Sequence, residues 1–69
     1  MPLTLAPVGK EIIIRRIGGS TEVRQHLSDM GFVAGGSVTV IAEMGSNLIV
    51  RVKESRVALS REVACKIIV

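Results

Sequence analysis

The sequence predicts a small, mainly β domain that carries one helix. Three observations favour this fold class: most apolar residues lie in short β-branched or alternating segments, turn residues separate these segments, and one segment instead has helical spacing. The 69 residues are enough for one small core, so we expect residues 1–69 to form a single domain. A hydrophobic share of 48% argues against disorder.

The first strand is predicted over residues 11–17, whose sequence is EIIIRRI. Its three consecutive isoleucines indicate burial on both faces of the strand. Upstream of it, Leu3 and Leu5 are expected to lie over the core. Gly18 and Gly19 then end the strand.

A helix is predicted next. One stripe of apolar residues recurs there at helical spacing: Val23, Leu27 and Met30. Ser20 or Thr21 is expected to cap the start of the helix, since a side-chain oxygen at that position accepts a hydrogen bond from the first turn. Gly31 is expected to end the helix in the left-handed conformation.

Two hairpins follow the helix. Residues 37–44 alternate between apolar and polar, which predicts a half-buried strand. Its inward side is expected to consist of Val38, Val40, Ala42 and Met44. After a turn over residues 45–47, three residues of the next strand are expected to face inward: Leu48, Val50 and Val52. A tight turn at Glu54 and Ser55 leads to a strand in which Val57 and Leu59 face inward.

The end of the chain predicts a helical turn and a last strand. Ser60 is expected to cap a single turn over residues 61–63, and residues 65–69 (CKIIV) form the strand, with Cys65 as a small core residue at its start. The predicted order is about five strands, with a helix after the first strand and a helical turn before the last. Short strands with regular turns favour a strongly bent sheet that closes on itself.

The charge of the protein is uneven along the chain. Residues 1–50 hold four basic and four acidic residues, whereas residues 51–69 hold five basic and two acidic ones, so the net +3 lies in the last segment. Arg51, Lys53 and Arg56 form a candidate basic face there, whose ordinary explanation is a solvated strand surface. A nucleic-acid partner is disfavoured, because Phe32 is the only aromatic residue and single strands bind on stacked rings.

Residues for catalysis and metal binding are scarce. His26 and Cys65 form the only nucleophile and base pair that the composition permits, and no flanking motif supports it. Structural zinc needs four closely spaced nitrogen or sulfur ligands, and the glycine doublets lack the Lys-Ser or Lys-Thr of a phosphate loop. A weak metal site on the helix is less favoured than a solvated face. We therefore expect no enzyme activity, no catalytic residue, no metal site and no cofactor.

Cysteine usage and hydropathy suggest where the protein works. A single cysteine excludes an internal disulfide, which favours a reducing compartment. The first residues lack the basic and apolar regions of a signal peptide, and no window approaches the ~20 apolar residues of a spanning helix. The expectation is a cytoplasmic protein without direct membrane insertion.

Two segments carry a family resemblance. Residues 27–32 (LSDMGF) with residues 35–41 (GGSVTVI) resemble the LxxMGfxpGxxixvi stretch of FeoA, the ferrous iron transport protein A family. Residues 49–69 are similar to the family's tail, ixvxvkgsRiaLxrxlAxkIxV. The resemblance covers nearly the whole chain from Leu3. Ala34 and Glu54 stand where the family usually has Pro and Gly, which leaves the geometry of those two turns open.

The resemblance implies a barrel of the Src-homology-3 (SH3) type with a helix inserted after the first strand. Family members are cytosolic accessory proteins of bacterial ferrous iron uptake, thought to act on FeoB, a membrane permease with its own GTPase domain. The implied function is regulation through protein–protein interaction with FeoB. The same barrel resembles the C-terminal domain of iron- and manganese-dependent repressors. A metalloregulator-type module and a weak nucleic-acid-binding barrel are therefore the alternatives.

The predicted partner surface lies at the end of the helix. Leu27, Met30 and Phe32 converge there, Gly31 allows close backbone approach, and Phe32 is expected to project outward. An exposed apolar patch of this kind is typical of a binding site. The opposing interpretation is that Leu27 and Met30 are ordinary core residues on a helical stripe. Because the protein is small and rich in aliphatic residues, self-association is also a candidate.

Overall fold

The computed structural model describes residues Met1–Val69 and arranges their strands in two sheets. A 3-10 turn, Leu3–Leu5, precedes the first strand. The elements that follow confirm a mainly β fold with two small helices. They are β1 (Glu11–Ile13), β2 (Arg16–Ile17), α1 (Thr21–Asp29), β3 (Ser37–Met44), β4 (Asn47–Val52), β5 (Ser55–Ser60), α2 (Arg61–Ala64) and β6 (Ile67–Ile68).

The larger sheet has the strand order β1-β3-β4-β5, and the smaller one pairs β2 with β6; all pairs are antiparallel. The prediction of one strand over residues 11–17 is wrong, because β1 and β2 belong to different sheets. Between them, the Ile14 N–H donates to the Gly36 carbonyl at 2.8 Å and the Arg15 N–H donates to the Ile68 carbonyl at 2.7 Å. The chain changes partners at this point. The core is therefore enclosed by two sheets, and no single sheet closes on itself.

The core is entirely apolar. Its buried residues are Leu3, Ile14, Leu27, Phe32, Val38, Val40, Leu48, Val50, Val52, Leu59, Ala64, Ile67 and Val69. The inward residues predicted for β4 and the burial of Leu3 and Leu59 are confirmed. Leu5, by contrast, is 68% exposed, because the 3-10 turn directs Leu3 inward and leaves Leu5 on the surface. Of the three isoleucines at residues 12–14, Ile13 is exposed.

Strand β3 contains a bulge. Its register against β4 shifts between Val40 and Ala42. Val38 and Val40 are buried as predicted, but Met44 is 63% exposed and pairs with Asn47. A bulge sets two residues against one, so it reverses which face the later residues occupy. The predicted alternation over residues 37–44 therefore holds only as far as the bulge.

Two serines cap the helices. The Ser20 side-chain oxygen accepts a hydrogen bond from the Val23 N–H at 3.2 Å, which settles the choice between Ser20 and Thr21. The Ser60 side-chain oxygen accepts one from the Val63 N–H at 3.3 Å, as predicted for the short helical turn. Each serine satisfies a donor that the helix itself leaves without a partner.

The end of helix α1 is a Schellman motif. The Phe32 N–H donates to the Leu27 carbonyl and the Gly31 N–H to the Ser28 carbonyl, both at 2.9 Å. Gly31 has a φ of +103°, so the predicted left-handed conformation is confirmed. In this motif the residues at the positions of Leu27 and Phe32 commonly make an apolar contact, and both are fully buried here.

The last strand is shorter than predicted. It consists of β6 alone, because Cys65 and Lys66 form the turn that follows α2. Cys65 is exposed, so its interpretation as a core residue is wrong. Its thiol donates to the Glu62 carbonyl, with Sγ 2.9 Å from the oxygen.

The turn between β4 and β5 lies one residue earlier than predicted. Ser55 already belongs to β5, and the two turn residues are Lys53 and Glu54. Lys53 has a φ of +56° and is the only residue other than glycine with a positive φ. A two-residue hairpin turn commonly requires this conformation. The strained position of this turn is therefore Lys53 and not Glu54, which stands where the family usually has glycine.

Gly31→Ala is expected to destabilise the protein by about 1–2 kcal/mol, because a Cβ makes the backbone conformation at φ +103° unfavourable. Lack of space is not the cause, since a Cβ on Gly31 lies 3.6 Å from its nearest neighbours. Urea unfolding followed by circular dichroism measures the change. Ser28→Ala in the same helical turn is the control, and its change should stay under about 0.5 kcal/mol. A Gly31→Ala protein as stable as the native one would contradict this account of the cap.

Candidate partner-binding site

The apolar patch predicted at the helix end is mostly core. Leu27 and Phe32 are both 0% exposed, so neither is available to a partner. The expectation that Phe32 projects outward is wrong, because the Schellman motif turns the chain back and the ring is buried in the core. The opposing interpretation of Leu27 as a core residue is confirmed. These two residues hold the site in position from beneath.

Two of the predicted residues remain at the surface. Met30 and Gly31 are half-buried, and Met30 packs partly against the core. The nearest atoms to a Cβ on Gly31 are Cδ and Cε of Lys53 and Cγ2 of Val52, each at 3.6 Å. The stem of Lys53 therefore lies over the glycine, as long cationic side chains do when they cover apolar surface. We call Met30, Gly31 and Lys53 the helix-end surface.

The predicted basic face divides into two parts. Lys53 belongs to the helix-end surface, because its stem lies beside Gly31. Arg51 and Arg56 face each other across β4 and β5 as directly opposed residues, and both are exposed. We call these two residues the arginine pair. Directly opposed like charges destabilise a strand pair, so this arrangement favours an anion nearby.

No carboxylate satisfies the arginine pair within the protein. The single ion pair of the structure joins Arg61 and Glu43 at 3.6 Å, and both side chains are well exposed. Glu11 shares the outward row of Arg51 through Thr39, but it forms no ion pair. The positive charge of the arginine pair is thus open to a partner of opposite charge.

The remaining surface offers little else to chemistry. The structure has no pocket and no group of three or more His, Cys, Asp or Glu side chains close enough to hold a metal ion together. None of the helices has the length and apolar character that crossing a membrane requires. Sequence reasoning missed the contact between Gly31 and Lys53, because they are distant in the chain and the contact depends on where the β4–β5 turn lies. The positive φ of Lys53 has no sequence signal.

A family model and a curated relative identify one family for this chain. The FeoA domain family model matches residues 1–69. Fe(2+) transport protein A of Methanocaldococcus jannaschii is 34% identical over 68 residues, covering 99% of this chain and 83% of that protein. A crystal structure of the iron uptake regulatory protein FeoA has a TM-score of 0.88 and 26% identity, covering 97% of this chain and 91% of that chain.

A second solved structure defines the fold type. It is FeoA from Stenotrophomonas maltophilia complexed with zinc, a procaryotic SH3 domain protein, with a TM-score of 0.86. Its identity is 24%, and the match covers 99% of this chain and 87% of that chain. The fold predicted as SH3-like is therefore confirmed.

Leu27→Gln and Phe32→Ala are both expected to unfold the protein or lower its stability severely. Each removes a fully buried apolar side chain, which costs about 2–5 kcal/mol and approaches the whole stability of a small domain. Circular dichroism and thermal melting measure the effect. Val33→Ala, whose side chain is 40% exposed just beyond Phe32, is the control and should melt near the native temperature. A well-folded Phe32→Ala protein would contradict the burial of this ring.

Proposed function

The chain belongs to the FeoA domain family, and from this premise we propose that it is a cytoplasmic accessory protein that binds the permease FeoB. Membership of the family assigns it to Fe(2+) transport. The finer function is regulation of ferrous iron uptake by protein–protein contact. The contact is with the cytosolic part of FeoB, since that part is accessible to a small protein without a spanning helix.

The observation that carries the proposal is the position of the Lys53 stem beside Gly31. It places a cation beside an apolar helix end at one point of the surface. Interfaces combine a desolvated apolar centre with a polar rim in this way. Met30 supplies the apolar centre, and Lys53 supplies the rim and the charge that selects the partner.

Leu27 and Phe32 contribute to binding through position. Their burial fixes the Schellman motif, and the motif fixes the height of Gly31 and Met30 above the core. A partner surface preorganised by core packing loses little conformational entropy when it binds. Of the four residues predicted for the partner site, Leu27 and Phe32 thus support the helix-end surface. The other two, Met30 and Gly31, contact FeoB.

We expect no catalytic activity and no tight binding of GTP or ferrous iron by the isolated protein. The motif for a phosphate loop is missing from the sequence, and the acidic, His and Cys side chains do not form a ligand group. Isothermal titration calorimetry with GTP and, under anaerobic conditions, with Fe(2+) tests this. A stoichiometric complex in the low-micromolar range with either one would overturn the expectation.

The binding proposal is tested by a pull-down of the cytosolic domain of FeoB at low and moderate salt. Binding through the helix-end surface should persist at moderate salt, because its centre is apolar. Met30→Asp and Lys53→Glu should each weaken binding roughly fivefold or more. Lys10→Glu makes the same charge change before β1 and is the control, expected to bind as the native protein does.

The same experiment separates the alternatives. No retained FeoB domain at either salt concentration would overturn the proposal. Binding that collapses with salt and with Arg51→Glu or Arg56→Glu, but not with Met30→Asp, would place the FeoB contact at the arginine pair and overturn the helix-end surface as its site. Self-association is a separate prediction, which sedimentation velocity over a range of concentrations checks.

A further inference from the structure

We infer that the free edge of strand β5 binds an extended, acidic segment of a partner protein by strand addition. This inference deepens the proposed function, on which it rests for the existence of a protein partner. It specifies what that partner presents: a β-strand that pairs with residues 56–58 and carries a carboxylate opposite Arg56. Three features of β5 support it, namely its open backbone groups, its unprotected edge and the charge beside it.

The first feature is the direction of the backbone groups of β5. Strand β5 pairs with β4 and with no other strand. The Arg61 N–H donates to the Ser46 carbonyl at 2.9 Å, and these two residues continue the β4–β5 register. Hydrogen-bonded pairs alternate along an antiparallel ladder, so Val57 and Leu59 bond to β4. The backbone N–H and C=O groups of Arg56 and Ala58 therefore point away from β4.

These groups have no partner inside the protein. None of the backbone hydrogen bonds made by turns, loops and caps involves Arg56 or Ala58, and no side chain bonds to them. Both residues are exposed. They offer two donors and two acceptors at the spacing that a neighbouring strand requires.

The second feature is the absence of the usual devices that protect an edge strand. Proteins blunt such edges with prolines, lysines, bulges or very short strands. Strand β5 has no proline, lysine or bulge and only one charged side chain, Arg56; its six residues, SRVALS, pair with β4 without a register shift. The opposite edge of the sheet, β1, has three residues. The long, regular edge is thus at β5.

The third feature is the chemistry of the outward face along this edge. Arg56 lies opposite Arg51 with no carboxylate paired to either. A strand added to β5 brings one of its side chains to about 5 Å from Arg56. An acidic residue there neutralises a repulsive pair, so the edge selects for it.

Two residues further along β5, the outward face becomes apolar. Ala58 is exposed, and its cross-strand neighbours are the half-buried Ile49 and, beyond it, Ala42. The added strand therefore places an apolar residue opposite Ala58, two positions from its acidic residue. A second copy of this chain does not fit, because pairing of two β5 edges brings two arginine pairs together.

The test uses a capped peptide of about seven residues in which a glutamate and an isoleucine stand two positions apart between valines, a β-forming composition. The probe is the 15N-labelled full chain observed by NMR. We expect saturable shifts along β5, with slower hydrogen exchange at the amides of Arg56 and Ala58. A peptide with lysine in place of the glutamate should bind with an affinity at least roughly tenfold lower.

Variants separate strand pairing from simple charge attraction. Ala58→Pro removes an outward N–H, a change that the fold of an edge strand tolerates. It should lower the affinity for the peptide roughly tenfold. Ala58→Val keeps the N–H and should bind normally. Arg56→Gln should lower the affinity for the glutamate peptide but leave the affinity for a peptide with glutamine at that position unchanged. The control Arg24→Gln, on α1, should change neither affinity.

Several outcomes would overturn the inference. They are absence of peptide binding, equal binding by a folded Ala58→Pro protein, and amides of Arg56 and Ala58 already protected in a dimer without peptide. Binding of a single-stranded oligonucleotide that displaces the peptide and ignores Ala58→Pro would also overturn it, as evidence of a bare anion site. The peptide experiment contains no FeoB, so its failure leaves the FeoB pull-down intact. Failure of the pull-down in turn leaves the peptide result standing.

Discussion

The Schellman motif at the end of α1 determines where the helix ends and how the chain returns to strand β3. Its two hydrogen bonds reverse the direction of the backbone between two buried residues, Leu27 and Phe32. Those two side chains are central to a core without a single polar group. The core has no directional bonds of its own, so its geometry depends on caps, turns and strand pairing. Gly31 allows this turn, because glycine adopts a positive φ without a steric penalty.

The family-like segment at residues 27–32 therefore serves the fold and the surface together. Leu27 and Phe32 of this segment are buried, Met30 is half-buried, and Gly31 lies under the stem of Lys53. A motif of this kind invites interpretation as a binding patch because its residues are large and apolar. The contact surface that we propose consists instead of Met30 and Gly31, which the motif supports, and of Lys53 from a hairpin turn that is distant in sequence.

Sequence alone predicted the elements well where the cause is local. Ser20 and Ser60 act as caps, Gly31 ends the helix, and Leu48, Val50 and Val52 alternate inward, all for reasons present within a few residues. Three of the failures share a different cause. The break between β1 and β2, the exposure of Met44 after the bulge and the contact of Lys53 with Gly31 depend on which strand lies alongside. Such pairing is decided between distant segments and leaves no local pattern.

The burial of Phe32 has a practical consequence for watching this molecule in solution. It is the only Phe, Tyr or Trp ring in the chain and is 0% exposed among aliphatic core residues, whereas the imidazole of His26 is exposed on α1. A single ring current therefore acts on the core, so every strongly upfield-shifted methyl resonance must come from a group stacked near Phe32. The chemical shifts of those methyl groups report on the packing of the core beneath the helix-end surface. Their movement on adding a partner reports whether binding reaches the interior or stays on the exterior.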